Sequence, residues 1–160
     1  MNEPGFFHRK IVTPIKALLL MGVTPTKISL SLAIGIVLGA FPVLGTTTIL
    51  CTVVALVSRL NLPAMQIANW LSYPLQVLML IPFYRMGEWL FQVPPINLAI
   101  ADLIEMFQRD FKGSIAALWD TTLHGIVAWS LVAPLAGLVF YYSFLPLIRR
   151  FPAMSKDAAQ

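Results

Sequence analysis

The sequence has little charge and almost no cysteine. Of its 160 residues, 11% are charged and 58% are hydrophobic, and Cys51 is the single cysteine. Because a soluble domain carries about 25% charged residues, this chain has too little polar material to cover a soluble surface. A lone cysteine also excludes an internal disulfide and a site built from paired cysteine ligands. The composition therefore indicates a membrane protein.

The residue types that carry catalysis or ion coupling are also scarce. His8 and His124 are isolated, and the stretch 24–87 contains no acidic residue. Acid–base or nucleophilic catalysis needs a positioned pair of groups, and a proton-coupled pump needs a carboxylate or histidine inside the membrane. No phosphate-binding glycine loop or metal-ligand spacing is present. We therefore expect no enzyme activity, no cofactor and no metal.

What the chain does have is a long apolar stretch, Thr24 to Gly87, with two interruptions. The first lies at Pro42 and Gly45, inside a run without charge from 28 to 58 that exceeds the ~20 residues of one span. This run is either a single kinked, tilted span or a re-entrant hairpin with its tip at 42–46. The threonines at 46–48 resemble a new helix start and favour the hairpin.

The second interruption, at Pro74, divides the uncharged run 60–84. Polar side chains recur through it on one helical face, at Gln66, Asn69, Tyr73 and Gln76. Such a stripe either forms hydrogen bonds between helices or faces a substrate. Small residues also recur every four positions in the first run and predict close helix packing, namely Ser31, Gly35 and Gly39.

The pattern predicts an all-α integral membrane protein with broken or re-entrant helices and interfacial amphipathic helices. Residues 1–23 resemble a basic amphipathic interfacial helix, and 24–90 form the broken-helix core. Residues 91–120 are expected to form amphipathic surface helices, with Arg85 pairing with Glu88 just before them. A transmembrane helix, kinked at Pro134, follows over 121–150, and 151–160 is a flexible tail.

The basic residues predict the orientation. With a hairpin at 25–58, one side of the membrane holds eight of the eleven basic residues: Arg9, Lys10, Lys16, Lys27, Arg59, Arg149, Arg150 and Lys156. The positive-inside rule then places both termini in the cytoplasm of a multi-pass protein. The net charge of +4 suits anionic lipid headgroups as partners rather than nucleic acid.

A ligand site is predicted at the hairpin. Helix N-termini favour anions, so an anionic headgroup would bind between Thr46–Thr47 and Arg59. Further candidate ligand residues are Asn61, Asn69 and Tyr73. Alternatively, the threonine hydroxyls satisfy nearby backbone groups and Arg59 is an interfacial anchor. A rival function is a scaffold that packs against a membrane enzyme, or against a second copy, through the Ser31–Gly35–Gly39 face.

A family resemblance rests on motifs within about 20–90. These are Gly22-Val23-Thr24-Pro25, then Gly35, Gly39, Pro42 and Gly45, then Arg59-Leu60-Asn61-Leu62-Pro63, then Trp70-Leu71-Ser72 before Pro74, and Gly87. They resemble the bacterial membrane-protein family known as domain of unknown function 2062. Tyr73 stands where members usually carry Asn. The resemblance implies a small helical protein of the bacterial inner membrane. Because some relatives are joined to a glycosyltransferase domain, it also implies a link to lipid-linked sugars, envelope biogenesis and a glycosyltransferase partner.

Overall fold

The computed structural model describes residues 24–96 and 99–150, which form helices joined by short turns and loops. Their six helices are α1 (Pro25–Gly39), α2 (Thr47–Val57), α3 (Leu62–Leu71), α4 (Tyr73–Phe91), α5 (Ile100–Arg109) and α6 (Phe111–Arg149). The predicted all-α class with broken helices is thereby confirmed. The predicted interfacial helix over 1–23 and the tail over 151–160 lie outside the described residues.

Helices α1 and α2 form an antiparallel hairpin. The Thr24 hydroxyl oxygen accepts from the Lys27 N–H at 3.4 Å, and Pro25 occupies the first turn, so α1 begins where the sequence predicts. The chain reverses over residues 40–46, which include Gly45 at φ +82°. The end of α2 comes back to the first half of α1, where the Asn61 N–H donates to Ser31 Oγ at 2.9 Å. The run 25–58 is therefore a hairpin and not one kinked helix.

Backbone hydrogen bonds from the residues just after α2 to carbonyls of its last turn end this helix. The Arg59 N–H donates to the Leu56 carbonyl at 3.3 Å, and the Leu60 N–H donates to the Ala55 carbonyl at 2.9 Å. Arg59 has φ +51°, the left-handed conformation that this motif requires. Leu60 then packs against buried Cys51 and Ala55. Residues within one turn thus satisfy the carbonyls at this helix end.

Helix α3 runs beside α1 and continues into α4. The Asn61 side chain accepts from the Ala64 N–H at 2.8 Å and caps α3. A Cβ added at Gly35 would lie 2.5 Å from the Met65 carbonyl oxygen, so these two helices touch through their backbones. The interruption before Pro74 is a single residue, Ser72, whose φ of −83° and ψ of −2° keep α4 close to the direction of α3.

The last two helices differ from the predicted boundaries. The amphipathic surface helix is α5, and α6 already begins at Phe111 rather than near 121. The reason is Asp110, whose side chain accepts from the Gly113 N–H at 3.0 Å and so places the cap before Gly113 and Ser114. Helix α6 continues through Pro134, where a kink was expected, to Arg149. At ~1.5 Å per residue it is about 58 Å long.

Helix α6 packs against α4 and α1, and its apolar surface faces outward. A Cβ added at Gly87 would lie 2.5 Å from the His124 carbonyl carbon and oxygen, so α4 and α6 are also in backbone contact. Within the described chain, α6 is the one helix that is long and apolar enough to cross a membrane. Only 6% of its most apolar 18-residue window is buried. It is therefore not the buried core helix of a soluble fold.

Candidate functional site

The turn between α1 and α2 (residues 40–46, called the turn below) is held by side chains from distant helices. Gln76 Nε2 of α4 donates to the Phe41 carbonyl oxygen at 2.8 Å and to that of Val43 at 3.4 Å. The Tyr84 hydroxyl, also from α4, donates to the Pro42 carbonyl oxygen at 3.1 Å. These bonds bridge 33 to 42 residues of sequence, so the turn depends on tertiary structure.

Helix α6 supplies a further donor next to the turn. Trp129 Nε1 donates to the Val37 carbonyl oxygen at 3.2 Å, and the Trp129 ring meets the Phe41 ring edge-on at 5.0 Å between centroids. The Val37 carbonyl, in the last turn of α1, also accepts from the Ala40 N–H at 3.3 Å. The half-buried Trp129 therefore packs its apolar ring on Phe41 while its polar N–H adds a second hydrogen bond to this carbonyl.

The predicted ligand residues at the start of α2 are buried or form hydrogen bonds within the protein. The Thr46 hydroxyl donates to the Val43 carbonyl oxygen at 3.0 Å, and Thr47 is buried. Asn69 is also buried, and its Nδ2 donates to Thr48 Oγ1 at 3.4 Å. The Thr46 hydroxyl therefore satisfies a nearby backbone carbonyl, which is the alternative role given above for the threonines. The Asn69 side chain connects α3 to α2.

The structure does not bring Thr46 and Thr47 together with Arg59. Helix α2 lies between them and is about 16 Å long at ~1.5 Å per residue. Asn61 is buried as the cap of α3, and Tyr73 is exposed. The expected headgroup site between Thr46–Thr47 and Arg59 is thus wrong in its geometry, since a straight helix separates its two halves.

The polar stripe divides in a similar way. Gln66 Nε2 donates to Thr52 Oγ1 at 2.9 Å and to the Thr48 carbonyl oxygen at 3.0 Å, so it contacts α2. Gln76 reaches the turn instead, and Tyr73 points outward. Gln66 and Asn69 therefore form hydrogen bonds between helices, which is the first of the two roles the spacing allowed, and Gln76 bonds the turn.

The small-residue face of α1 is already occupied. Ser31, Gly35 and Gly39 are buried, and Cβ atoms added at the two glycines would meet α3 at 2.5 Å (Met65 carbonyl oxygen) and 2.8 Å (Ser72 Cβ). These residues pack helices together as predicted, but inside the chain. The scaffold hypothesis is therefore wrong about this face, because α3 leaves no room there for a partner protein.

A buried carboxylate joins α4 to the segment that follows it. Glu88 is 3% exposed, and its two oxygens accept from Arg85 Nη1 at 2.8 Å and from the Ile96 N–H at 2.9 Å. The predicted Arg85–Glu88 pair is confirmed. Both carboxylate oxygens are engaged, so Glu88 fixes the path of residues 92–96. Within 24–96 and 99–150, no three histidine, cysteine or acidic side chains lie together as metal ligands.

An open apolar groove lies between α1 and α6, and sequence reasoning missed it because its residues are ordinary for a membrane helix. It has a volume of about 370 Å³, and its lining is Leu30, Ile34, Val37 and Leu38 from α1, and Ala133, Pro134, Gly137, Leu138, Tyr141 and Tyr142 from α6. None of the predicted ligand residues lines it. Tyr84 and Trp129 were missed as partners of the turn, although a polar aromatic side chain in an apolar run is a usable signal.

The charges separate to opposite ends of the fold. The contact of Ile28 with Ile148 brings the start of α1 and the end of α6 together. This end, called the basic end below, carries exposed Lys27, Arg149 and Arg150, with Arg59 nearby at the end of α2. The five carboxylates of the described residues all lie in the 88–120 part of the chain.

The comparison with family models gives one result that covers most of the chain. Residues 9–156 match the model of an uncharacterised protein conserved in bacteria, DUF2062. The match extends beyond the 20–90 region whose motifs carry the resemblance. Comparisons with curated proteins and with solved structures gave no match. The chain, a helical bundle with a pinned α1–α2 turn, belongs to the bacterial family known as domain of unknown function 2062.

Proposed function

We propose that the protein is a non-enzymatic, multi-pass protein of the bacterial cytoplasmic membrane that binds or translocates an anionic lipid or a lipid-linked sugar in envelope biogenesis. Helix α6 would form one crossing, α3 together with α4 the other, and α1–α2 would be a re-entrant hairpin. The observation that carries the membrane assignment is the turn, whose Phe41, Pro42 and Val43 carbonyls accept hydrogen bonds from Gln76 and Tyr84 of α4.

The chemistry of the turn suits the membrane interior. Irregular backbone is tolerated at membrane depth only where protein or trapped water satisfies its polar groups. Here side chains of α4 do so, and Trp129, whose ring contacts Phe41, lies well inside the uncharged part of α6, 121–148. On the surface of a soluble protein, water would satisfy these carbonyls without such side chains.

The lengths of the helices support two crossings. The uncharged run 60–84 through α3 and α4 is about 37 Å long at ~1.5 Å per residue, and the ~30 Å hydrocarbon core is shorter. Large apolar side chains project outward from most helices, including Leu56 and Val57 of α2, Leu78 of α4, and Leu135 and Val139 of α6. A lipid environment would remove the cost of exposing them to water.

The separation of charge supports both the orientation and the lipid class. Arginine and lysine are enriched on the cytoplasmic side of membrane proteins, so the basic end would lie there with both termini. Basic clusters at that surface attract anionic lipids. The rival function, a partner subunit of a membrane glycosyltransferase, would need a face other than the one α3 covers.

Cysteine labelling tests this topology. In a Cys51→Ser background, Glu105→Cys on α5 should react with a membrane-impermeant maleimide in intact spheroplasts. Ser58→Cys at the end of α2 should react only after permeabilisation. Both positions are exposed, so accessibility within the protein is matched. Labelling of Ser58→Cys in intact spheroplasts would contradict the orientation and the hairpin together.

Lipid analysis tests the function itself. Protein purified in a mild detergent should retain an anionic phospholipid or a lipid-linked sugar, identified by native mass spectrometry and by extraction. Stoichiometric recovery of a membrane glycosyltransferase without bound lipid would favour the partner-subunit function instead.

A further inference from the structure

We propose that the groove between α1 and α6 seats an acyl chain of an anionic phospholipid, with the lipid phosphate at Lys27 and Arg149. This inference rests on the proposed function and names the site at which that function would bind lipid. It places the site about one helix length away from the predicted headgroup site at the turn.

The groove is open along its side and closed at both ends by contacts between α1 and α6. At one end, Ile28 and Ile148 are buried against Leu32 and Phe144. At the other end, Trp129 is hydrogen-bonded to Val37. Gly137 lies in the wall between them, and a Cβ added there would come no closer than 3.9 Å to Val37. The missing side chain thus leaves space in the wall.

The lining residues form one stripe on each helix. Leu30, Ile34 and Leu38 follow each other at intervals of four residues on α1, and Leu138 and Tyr142 do so on α6. Residues four apart lie on the same helix face, so the two stripes face each other across the groove. Leu138 and Tyr142 are exposed, so a chain could enter from the surrounding lipid without opening the fold.

The two cations continue these stripes. Lys27 precedes Ile34 by seven residues, and Arg149 follows Tyr142 by seven, which is close to two full helical turns. Each therefore lies on the helix face that lines the groove, at its basic end. The distance from Lys27 to Leu38 along α1 is about 16 Å, or roughly half of a ~30 Å hydrocarbon core. This is the depth that one leaflet of acyl chain occupies.

Charge complementarity selects an anionic lipid. Arg150 and Arg59 add positive charge near Lys27 and Arg149, and all five described carboxylates lie toward the other end. An arginine guanidinium can bind two phosphate oxygens at once, and lysine adds a compact positive charge.

Native mass spectrometry with defined lipids tests the proposal. The full chain is delipidated and then given phosphatidylglycerol or phosphatidylcholine at equal concentration. Wild type should retain phosphatidylglycerol preferentially. Lys27→Gln combined with Arg149→Gln should lower its occupancy on the order of tenfold, since two attractive charges are lost. It should lower that of phosphatidylcholine much less, because the choline group already offsets the phosphate charge of that lipid.

A matched control removes the same charge elsewhere. Arg109→Gln combined with Lys112→Gln changes two exposed cations at the far end of the fold and should keep wild-type occupancy. Gly137→Leu fills the groove and should lower the occupancy of both lipids. If that variant does not fold, as judged by circular dichroism and gel filtration, Ala133→Leu places the obstruction in the same wall.

The outcomes separate this site from the broader function. Wild-type phosphatidylglycerol occupancy in the Lys27/Arg149 variant, or an equal loss in the Arg109/Lys112 variant, would overturn the site while lipid binding itself stands. If wild type retains neither lipid and carried none on purification, both the site and the lipid-handling function fail.

Discussion

The two ends of α2 reverse the chain by different means. At its start, the turn relies on Gln76, Tyr84 and Trp129, which come from α4 and α6. At its end, Arg59 and Leu60 donate back to the carbonyls of α2 itself, and no other helix is needed for those bonds. The start of α2 is therefore held by side chains from other helices, and its end is held by backbone hydrogen bonds within α2 and the two residues after it.

The difference follows from the surroundings of each end. Ser58 and Arg59 are exposed at the basic end, where water or headgroups can satisfy what the local motif leaves over. Pro42 and Thr47 are buried, and in the proposed topology the turn lies in hydrocarbon. Since hydrocarbon offers no hydrogen bonds, side chains from other helices have to supply them. The deeper end of the hairpin is thus the more dependent on the whole fold.

The largest effect is expected from separating the helices that carry the donors to the turn. Gly87→Ala places a Cβ where the His124 backbone lies 2.5 Å away, so α4 and α6 have to move apart. We expect a loss of about 3 kcal/mol or more in the free energy of unfolding, at the upper end for overpacked contacts, because the clash is with backbone atoms. Gly137→Ala is the matched control, because its nearest neighbour is 3.9 Å away. Thermal unfolding in detergent measures both. Equal midpoints for the two variants would show that the close approach is not required.

A smaller effect is expected from removing a donor to the turn. Gln76→Leu keeps a buried side chain of similar size but abolishes the bonds to Phe41 and Val43. The expected loss in the free energy of unfolding is about 1–3 kcal/mol, with faster amide exchange confined to the turn. Gln108→Leu on exposed α5 should change neither quantity. Unchanged exchange at the turn in Gln76→Leu would mean that local bonds suffice there as well.

Removing a single hydroxyl should cost less. Tyr84→Phe loses only the bond to the Pro42 carbonyl, so the free energy of unfolding should fall by about 0.5–1.5 kcal/mol. Tyr73→Phe removes an exposed hydroxyl and should be neutral. Denaturant titration in one detergent compares the two variants. A loss in Tyr73→Phe as large as in Tyr84→Phe would remove the assigned role of Tyr84.

The smallest effect, of opposite sign, is expected at the local end of α2. Arg59 adopts φ +51°, a left-handed backbone conformation that is unfavourable for any residue with a Cβ atom and not for glycine. Arg59→Gly should therefore raise the free energy of unfolding by up to about 1 kcal/mol, and Arg59→Lys should leave it unchanged. Gln92→Gly, at the equivalent position after α4 with φ +55°, relieves the same strain but also removes the bond from Gln92 Nε2 to the Trp89 carbonyl oxygen at 2.8 Å, so its gain should be smaller. A stability loss in Arg59→Gly alone would point to a contact of the guanidinium group.

Part of the site could be predicted from the sequence. Pro42 and Gly45 mark a reversal because each restricts or permits a backbone conformation locally, and the threonine–proline and asparagine–proline starts of α1 and α3 act within one helical turn. The sequence divides the chain at residue 120, between surface helices and the last span, whereas α6 runs without interruption from Phe111 to Arg149. The predicted Thr46–Arg59 site was wrong because one-dimensional proximity does not show that a straight helix keeps its ends apart.

The sequence by itself determined the all-α class, most of the helices and the distribution of charge along the chain, because these follow from composition, helical periodicity and local backbone preferences. It favoured a hairpin at 25–58 without deciding against a kinked span. Only the tertiary structure decided that question, and only it showed which polar side chains serve the fold and where the groove between α1 and α6 lies. Gln76, Tyr84 and Trp129 meet the turn across 33 to 92 residues of sequence. The groove lies between α1 and α6, which also contact each other at Ile28–Ile148 and at Val37–Trp129. Such distances depend on how helices pack, which periodicity along one helix does not contain.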